Sequence, residues 1–279
     1  MRINTNISSM KALQSLYKNE QHMNKAMERL STGKRINSAA DDAAGLAIVT
    51  RMRARESGMR VAVRNNEDTI SMFRTAESSL QTMTNILIRM RDLSVQSANG
   101  TNSSENQEML DQEFQRLAEQ IGYMQDTAEF NDNPLFAGNR RLIIPMDDLG
   151  HTIEFSFPSI NEFQSNQNQN NPAPTNNMKI STTQDVHQAI AKIDTIMQSV
   201  SLHRSDLGSM INRLQLNIEN LNNQSINMAD SASRIEDADM AKEMSEFVKY
   251  KLLTEVSLSM VSQANQIPQM LVKLLNDHV

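Results

Sequence analysis

The sequence predicts a mainly α protein, an elongated antiparallel coiled-coil helical bundle with a small β-hairpin excursion. Three observations predict it. First, apolar residues recur at alternating steps of four and three from Val186 to Ile235: Val186, Ile190, Ile193, Met197, Val200, then Leu207, Ile211, Leu214, Ile218, Leu221, then Met228, Ala232 and Ile235, with Arg204 and Ser225 breaking the run. That spacing is a coiled-coil seam. At about 1.5 Å per residue it spans about 75 Å, so it needs partner helices along its length. Second, similar seams recur before it, and a broader apolar face at helical spacing follows it. Third, the period changes between Phe130 and Thr183, where short strand-like runs appear.

In chain order, residues 4–32 read as a first helix. Leu13, Leu16, Glu20, Met23, Met27 and Leu30 keep the seam, and Ser31-Thr32-Gly33 supplies a glycine stop. The segment Ile36 to Ile48 places Asn37, Ser38, Asp41 and Asp42 ahead of an alanine-rich run. These are capping residues, and the small side chains allow close backbone approach, so Asn37, Asp41 and Asp42 are read as an inter-helix joint. Paired aspartates also suit metal or acid–base chemistry, but no histidine or further carboxylate recurs at ligand spacing. A second long helix is expected from roughly Glu67 to Ser97, with Phe73, Ala76, Leu80, Met83, Leu87 and Met90 on its seam. Asn99 to Glu105 forms a turn that caps a third helix carrying Leu110, Phe114, Leu117, Ile121 and Met124. The short connection makes the two an antiparallel hairpin, against which the Val186–Ile235 helix lies.

Leu142-Ile143-Ile144 and Thr152 to Phe157 are the predicted strands, with Asp147-Asp148-Leu149-Gly150 as their turn. The run Gln164–Asn177 is polar and low in complexity, as a surface loop is. A last amphipathic helix shows a broad apolar face of Met244, Phe247, Val248, Leu252, Val256, Met260, Val261, Ala264 and Ile267. Pro268 is expected to kink or end it, after which Met270, Leu271, Leu274 and Leu275 resume the face. That surface exceeds what helix 4–32 can cover, so the remainder is expected to be buried between subunits.

Composition narrows the function. Aromatics are 4% and tryptophan is absent, while twenty methionines act as flexible filler along helix seams. With no cysteine there are no disulfides, thiolate metal sites or cysteine nucleophile. No segment has the apolar length of a membrane span, and the N-terminus lacks a secretory signal pattern, so neither a membrane anchorage nor that export route is expected. The net charge of −6 is uneven: residues 1–64 carry twelve Lys/Arg against five Asp/Glu. These basic residues are scattered and lack interleaved aromatics, so they are read as facing an acidic neighbour in the same fold or assembly, with no nucleic acid as partner. The five histidines form no H-E-x-x-H pair, and there is no phosphate loop or nucleophile elbow. Neither an enzyme nor a cofactor is expected. Asn99-Gly100-Thr101 and Asn102-Ser103-Ser104 match the glycosylation sequon, a pattern that polar chains yield by chance.

Leu30-Ser31-Thr32-Gly33-Lys34-Arg35-Ile36-Asn37-Ser38-Ala39-Ala40-Asp41-Asp42-Ala43-Ala44-Gly45-Leu46-Ala47-Ile48 closely resembles the N-terminal signature of bacterial flagellin. Further matching stretches follow in the family's order: Arg64 to Asp68, Thr75-Ala76-Glu77, Arg91 to Gln96, Glu129-Phe130-Asn131, Ser233 to Ala241 and Ser262 to Gln269. The resemblance covers roughly 1–138 and 184–275, departing at Ser78-Ser79 and at Asn276–Val279.

The resemblance implies a filament subunit of the bacterial flagellum, of a short form without large outer domains. Segments 1–40 and 236–279 would pair as a terminal helical domain in the filament core. Segments 41–141 and 184–235 would form a coiled-coil rod, and 142–183 a short β-hairpin and polar loop in place of outer domains. Contacts in the core would be made by Leu13, Leu16, Met23, Met27 and Leu30, and by Met244, Val248, Leu252, Val256, Met260, Leu271 and Leu274. Arg89, Leu93 and Glu113 match a rod surface that a vertebrate innate immune receptor recognises in some members. The implied partners are the chain itself, an export chaperone, the filament cap and hook-junction proteins. The implied location is the extracellular filament, or a periplasm in a spirochaete-like cell. A hook–filament junction protein is the rival reading of the same class. A chemoreceptor-type signalling coiled coil is the rival from another class.

Overall fold

The structure, a computed structural model, describes residues 6–136, 141–157 and 178–276. Helix α1 (Ile7–Thr32) starts at Asn6, whose side chain accepts the Ser9 N–H at 3.1 Å. It stops at Gly33, whose φ of 70° lets its N–H turn back onto the Arg29 carbonyl at 2.8 Å, the expected glycine stop. Helix α2 (Ala43–Ser97) is one unbroken helix, which corrects the expected start near Glu67. Asp42 caps it, accepting the Gly45 N–H at 2.9 Å, and the alanines that follow are strong helix formers. Its buried stripe continues through Val49, Glu56, Met59, Ala62, Asn66 and Ile70. Glu56 and Asn66 occupy that stripe, so an apolar count loses the period there. Helix α3 (Ser104–Thr127) is capped by Ser103, which accepts the Asn106 N–H at 3.2 Å.

The chain divides into two compact units, Met1–Glu56 with Ile226–Val279, and Ser57–Ser225. In the second, α2, α3 and helix α4 (Thr183–Glu236) share one core: Phe73, Leu80, Met83 and Leu87 from α2 meet Phe114 and Ile121 from α3, and Ile193 and Leu214 from α4. Ion pairs fix the helix directions. Arg89 reaches Glu113 of α3 at 2.7 Å, Arg91 reaches Asp194 at 2.9 Å, and Glu77 meets Arg204 at 3.1 Å. As the α2 number rises the α4 number falls, so α2 and α4 are antiparallel. Arg204 interrupts the α4 seam because its guanidinium crosses to Glu77.

Strands β1 (Glu129–Phe130) and β2 (Asn133–Pro134) form a minimal hairpin. Asn131 and Asp132 both have positive φ, as a two-residue type I′ turn demands. Strands β3 (Arg141–Pro145) and β4 (Thr152–Ser156) form the larger antiparallel hairpin in the expected place, with Leu142 opposite Phe155. Phe155 and Phe157 pack on Phe73 with ring centroids 4.8 and 5.9 Å away. Asn217 donates to the Met146 carbonyl at 2.7 Å. Gly58 permits the close approach of the hairpin turn, since a Cβ there would lie 2.8 Å from that of Asp148. The polar run Gln164–Asn177 lies outside the described residues.

Helix α5 (Met240–Asn276) begins at Asp239, whose side chain accepts the Ala241 and Lys242 N–H groups at 3.0 and 3.2 Å. It continues through Pro268 to Asn276, which corrects the half of the expectation that had the proline ending the helix. Its missing N–H leaves the Ala264 carbonyl without the usual helical donor. The Asn6 side chain supplies one instead, at 2.7 Å.

Candidate assembly surface and joint

Within the unit formed by the chain's two ends, α1 and α5 run antiparallel along a boundary rich in polar and small side chains. Asn6 donates to the Ala264 carbonyl, and the Ser9 hydroxyl donates to Asn265 Oδ1 at 2.7 Å. Asn19 donates to Ser257 Oγ at 2.9 Å, His22 stacks on Tyr250 at 4.8 Å, and Arg29 meets Glu243 at 3.4 Å. Ala26 and Ala264 are buried beside these groups.

Part of the apolar face of α5 turns elsewhere, while Phe247 and Val261 are half-buried and Ala264 is buried. Met244, Val248, Leu252, Val256 and Met260 are all exposed, Val256 at 59%. On α1, Leu13 and Met27 are exposed, whereas Leu16, Met23 and Leu30 are half-buried. Met10, Leu13, Gln14, Tyr17, Lys18 and Gln21 line an open groove on this helix. The side chains of Leu271 and Leu274 lie outside the described residues. A seam found from periodicity does not say which side of a helix meets its intramolecular partner. Here polar pairings decide that, and Asn6, Ser9 and Asn19, which an apolar pattern passes over, do the deciding.

The joint between α1 and α2 is built on carboxylates. Asp41 Oδ2 accepts the Asn37 N–H at 3.3 Å, the Ser38 N–H at 3.2 Å and the Ser38 hydroxyl at 3.1 Å, while Lys25 approaches Oδ1 at 3.3 Å. Desolvation alone would raise the Asp41 carboxyl. The hydrogen bonds from Ser38, Lys25 and Asn37 overcome it and hold the carboxyl below its ordinary value. Asn37 donates its amide to the Lys34 carbonyl at 3.3 Å. The same loop is tied to the end of α4: the Arg35 N–H donates to the Glu236 carbonyl at 2.7 Å, and the Ala238 N–H donates to the Gly33 carbonyl at 2.9 Å. Lys34 and Arg53 both pair with the buried Glu236 carboxylate. Asn37, Asp41 and Asp42 are therefore structural partners of backbone groups. Among the described residues no group of three metal-ligating side chains is found, and no helix is long and apolar enough to cross a membrane.

In the second unit Arg89 and Glu113 are exposed and paired, whereas Leu93 has no exposed surface and belongs to the core.

A helical chain whose α5 carries an outward-facing apolar stripe suits a subunit of an assembly. Family comparison agrees. The bacterial flagellin N-terminal helical region matches residues 3–141, and the bacterial flagellin C-terminal helical region matches residues 190–275. The chain is 41% identical to a flagellin of Listeria monocytogenes, over 99% of this chain and 100% of that one. It is 33% identical to a flagellin of Bacillus subtilis, over the same shares. The crystal structure of Bacillus cereus flagellin has a TM-score of 0.49 and 28% identity, covering 61% of this chain and 94% of that one. The chain belongs to the bacterial flagellin family, as a short member without a large outer domain, and is a structural subunit of the flagellar filament.

Proposed function

We propose that the chain polymerises by burying the outer faces of α1 and α5 against neighbouring copies. The exposure of Met244, Val248, Leu252, Val256 and Met260 beside a polar α1–α5 boundary carries this reading. Leu13, Leu16, Met23, Met27, Leu30, Leu271 and Leu274 complete the same contact set. Covering the exposed half of each of the five α5 side chains contributes about 1 kcal/mol, or roughly 5 kcal/mol per subunit. Ordering of α1 and α5 accompanies assembly, because much of the apolar face of α5 is left exposed until a neighbouring copy covers it. Segments 1–40 and 236–279 act as the core-forming domain, 41–141 and 184–235 as the rod, and 142–183 in place of outer domains.

An export chaperone, the filament cap and hook-junction proteins are the further partners we propose, on family membership. The location is the extracellular filament, with a periplasmic filament reserved for a spirochaete-like cell. For an innate immune receptor, the Arg89–Glu113 pair supplies accessible charge, and Leu93 would act only by supporting it from the core. The test is Val256→Asp beside a chain lacking residues 1–40. Both should keep the helical signal of residues 57–225 and yield no filaments by electron microscopy. Filaments from either variant would overturn the proposal.

A further inference from the structure

The turn between α2 and α3 carries a reactive pair of residues. Asn99-Gly100 is the sole Asn-Gly pair in the sequence. Both residues are exposed. The Asn99 N–H donates to the Gln96 carbonyl at 3.2 Å, and the Asn99 carbonyl accepts the Asn102 N–H at 3.1 Å, closing a turn over Gly100 and Thr101. The Asn99 side chain bends the same way, its Oδ1 accepting the Thr101 N–H at 3.2 Å. This folds the carboxamide over the peptide that follows it. The Gly100 N–H has no hydrogen-bond partner among the described residues.

We propose that Asn99 is a site of spontaneous deamidation and isomerisation, with water as co-reactant. Hydroxide removes the Gly100 amide proton, and the nitrogen attacks Asn99 Cγ. The N–Cγ bond forms while the Thr101 N–H, already on Oδ1, stabilises the developing oxyanion. The Cγ–Nδ2 bond breaks and the nitrogen leaves, with a proton, as ammonia. A cyclic imide remains. Water then adds to one of its two carbonyls and opens the ring to aspartate or isoaspartate. One water enters, one ammonia leaves, and no redox change occurs.

Among the described residues, two other loop asparagines and those within the helices are held differently. At Asn37-Ser38 the Ser38 N–H is donated to Asp41, and at Asn102-Ser103 the Asn102 amide is tied to the Gln96 carbonyl at 2.6 Å. Asparagines within the helices have the following N–H engaged in the helical ladder. The product at Asn99 places a carboxylate in the turn. In its isoaspartyl form it also adds a methylene to the backbone joining α2 to α3, breaking the Asn99–Asn102 closure.

The experiment is timed incubation of the full-length protein in mildly alkaline buffer, followed by peptide mapping with fragmentation that separates aspartate from isoaspartate. The peptide containing Asn99 should gain one mass unit about tenfold faster than any other asparagine peptide. Gly100→Ala, for which the structure leaves open space, should slow it by about tenfold or more, since a Cβ restricts the backbone that cyclisation requires. The urea-unfolded chain should react at Asn99 no faster than the folded one. Faster modification elsewhere, an unchanged rate in Gly100→Ala, or marked protection by folding would each overturn the proposal.

Discussion

Replacing Asn6 with alanine removes two hydrogen bonds at once. The first caps α1 through the Ser9 N–H and contributes about 1 kcal/mol. The second supplies the Ala264 carbonyl that Pro268 leaves without a helical donor, and contributes about 1 kcal/mol more. A loss of about 2 kcal/mol is roughly thirtyfold in an equilibrium constant. Because ordering of the α1–α5 pair is proposed to accompany assembly, that factor should appear in the concentration of free subunit in equilibrium with filament, read by pelleting. Pro268→Ala provides the control. An alanine there brings its own N–H to the Ala264 carbonyl, so in that background Asn6→Ala costs only the cap, about 1 kcal/mol or roughly fivefold. An equal loss in both backgrounds would refute the link between Asn6 and the carbonyl that the proline leaves free.

Gly45→Ala should disturb the joint, because its Cβ would lie 2.5 Å from Asp42 Oδ2 and 2.8 Å from Ile36 Cδ1. A destabilisation of about 1–3 kcal/mol is expected, visible as faster amide exchange around residues 36–46. Asp41 has a lowered carboxyl, so its stabilisation is full above the unfolded carboxylate value and disappears as pH falls through the lower folded one. Asp41→Asn should weaken the joint at neutral pH and flatten that part of the acid dependence, measured as the pH midpoint of filament disassembly. Leu93→Ala should cost about 2–5 kcal/mol in thermal unfolding of residues 57–225, because the side chain is wholly buried. Arg89→Ala, removing one arm of an exposed pair, should cost under about 1 kcal/mol in the same measurement.

The helices were legible wherever apolar residues kept their period, as along Leu80, Met83 and Leu87, because burial and periodicity there are one fact. The start of α2 was not, since its inward stripe carries Glu56 and Asn66, and polar residues conceal a period that hydrophobicity reveals. The β1–β2 hairpin escaped because its turn is Asn131-Asp132 instead of an Asn-Gly pair, although both residue types tolerate positive φ. Pro268 was read by its local rule, whereas Asn6, distant in sequence, answers the cost the rule describes. On α5 the broad apolar face was plain from composition. Its direction depended on hydrogen bonds between residues more than two hundred positions apart, and pattern analysis has no access to those.

A boundary joined by paired polar groups has detents where an oily one would have a slope. Methionine and leucine side chains can slide past one another with gradual loss, but Asn19 either meets Ser257 or does not, and Asn6 either finds the Ala264 carbonyl or loses it. Axial displacement of α1 along α5 therefore breaks these matches together, because each joins one particular pair of residues. The terminal pair is keyed to a single register by its polar groups.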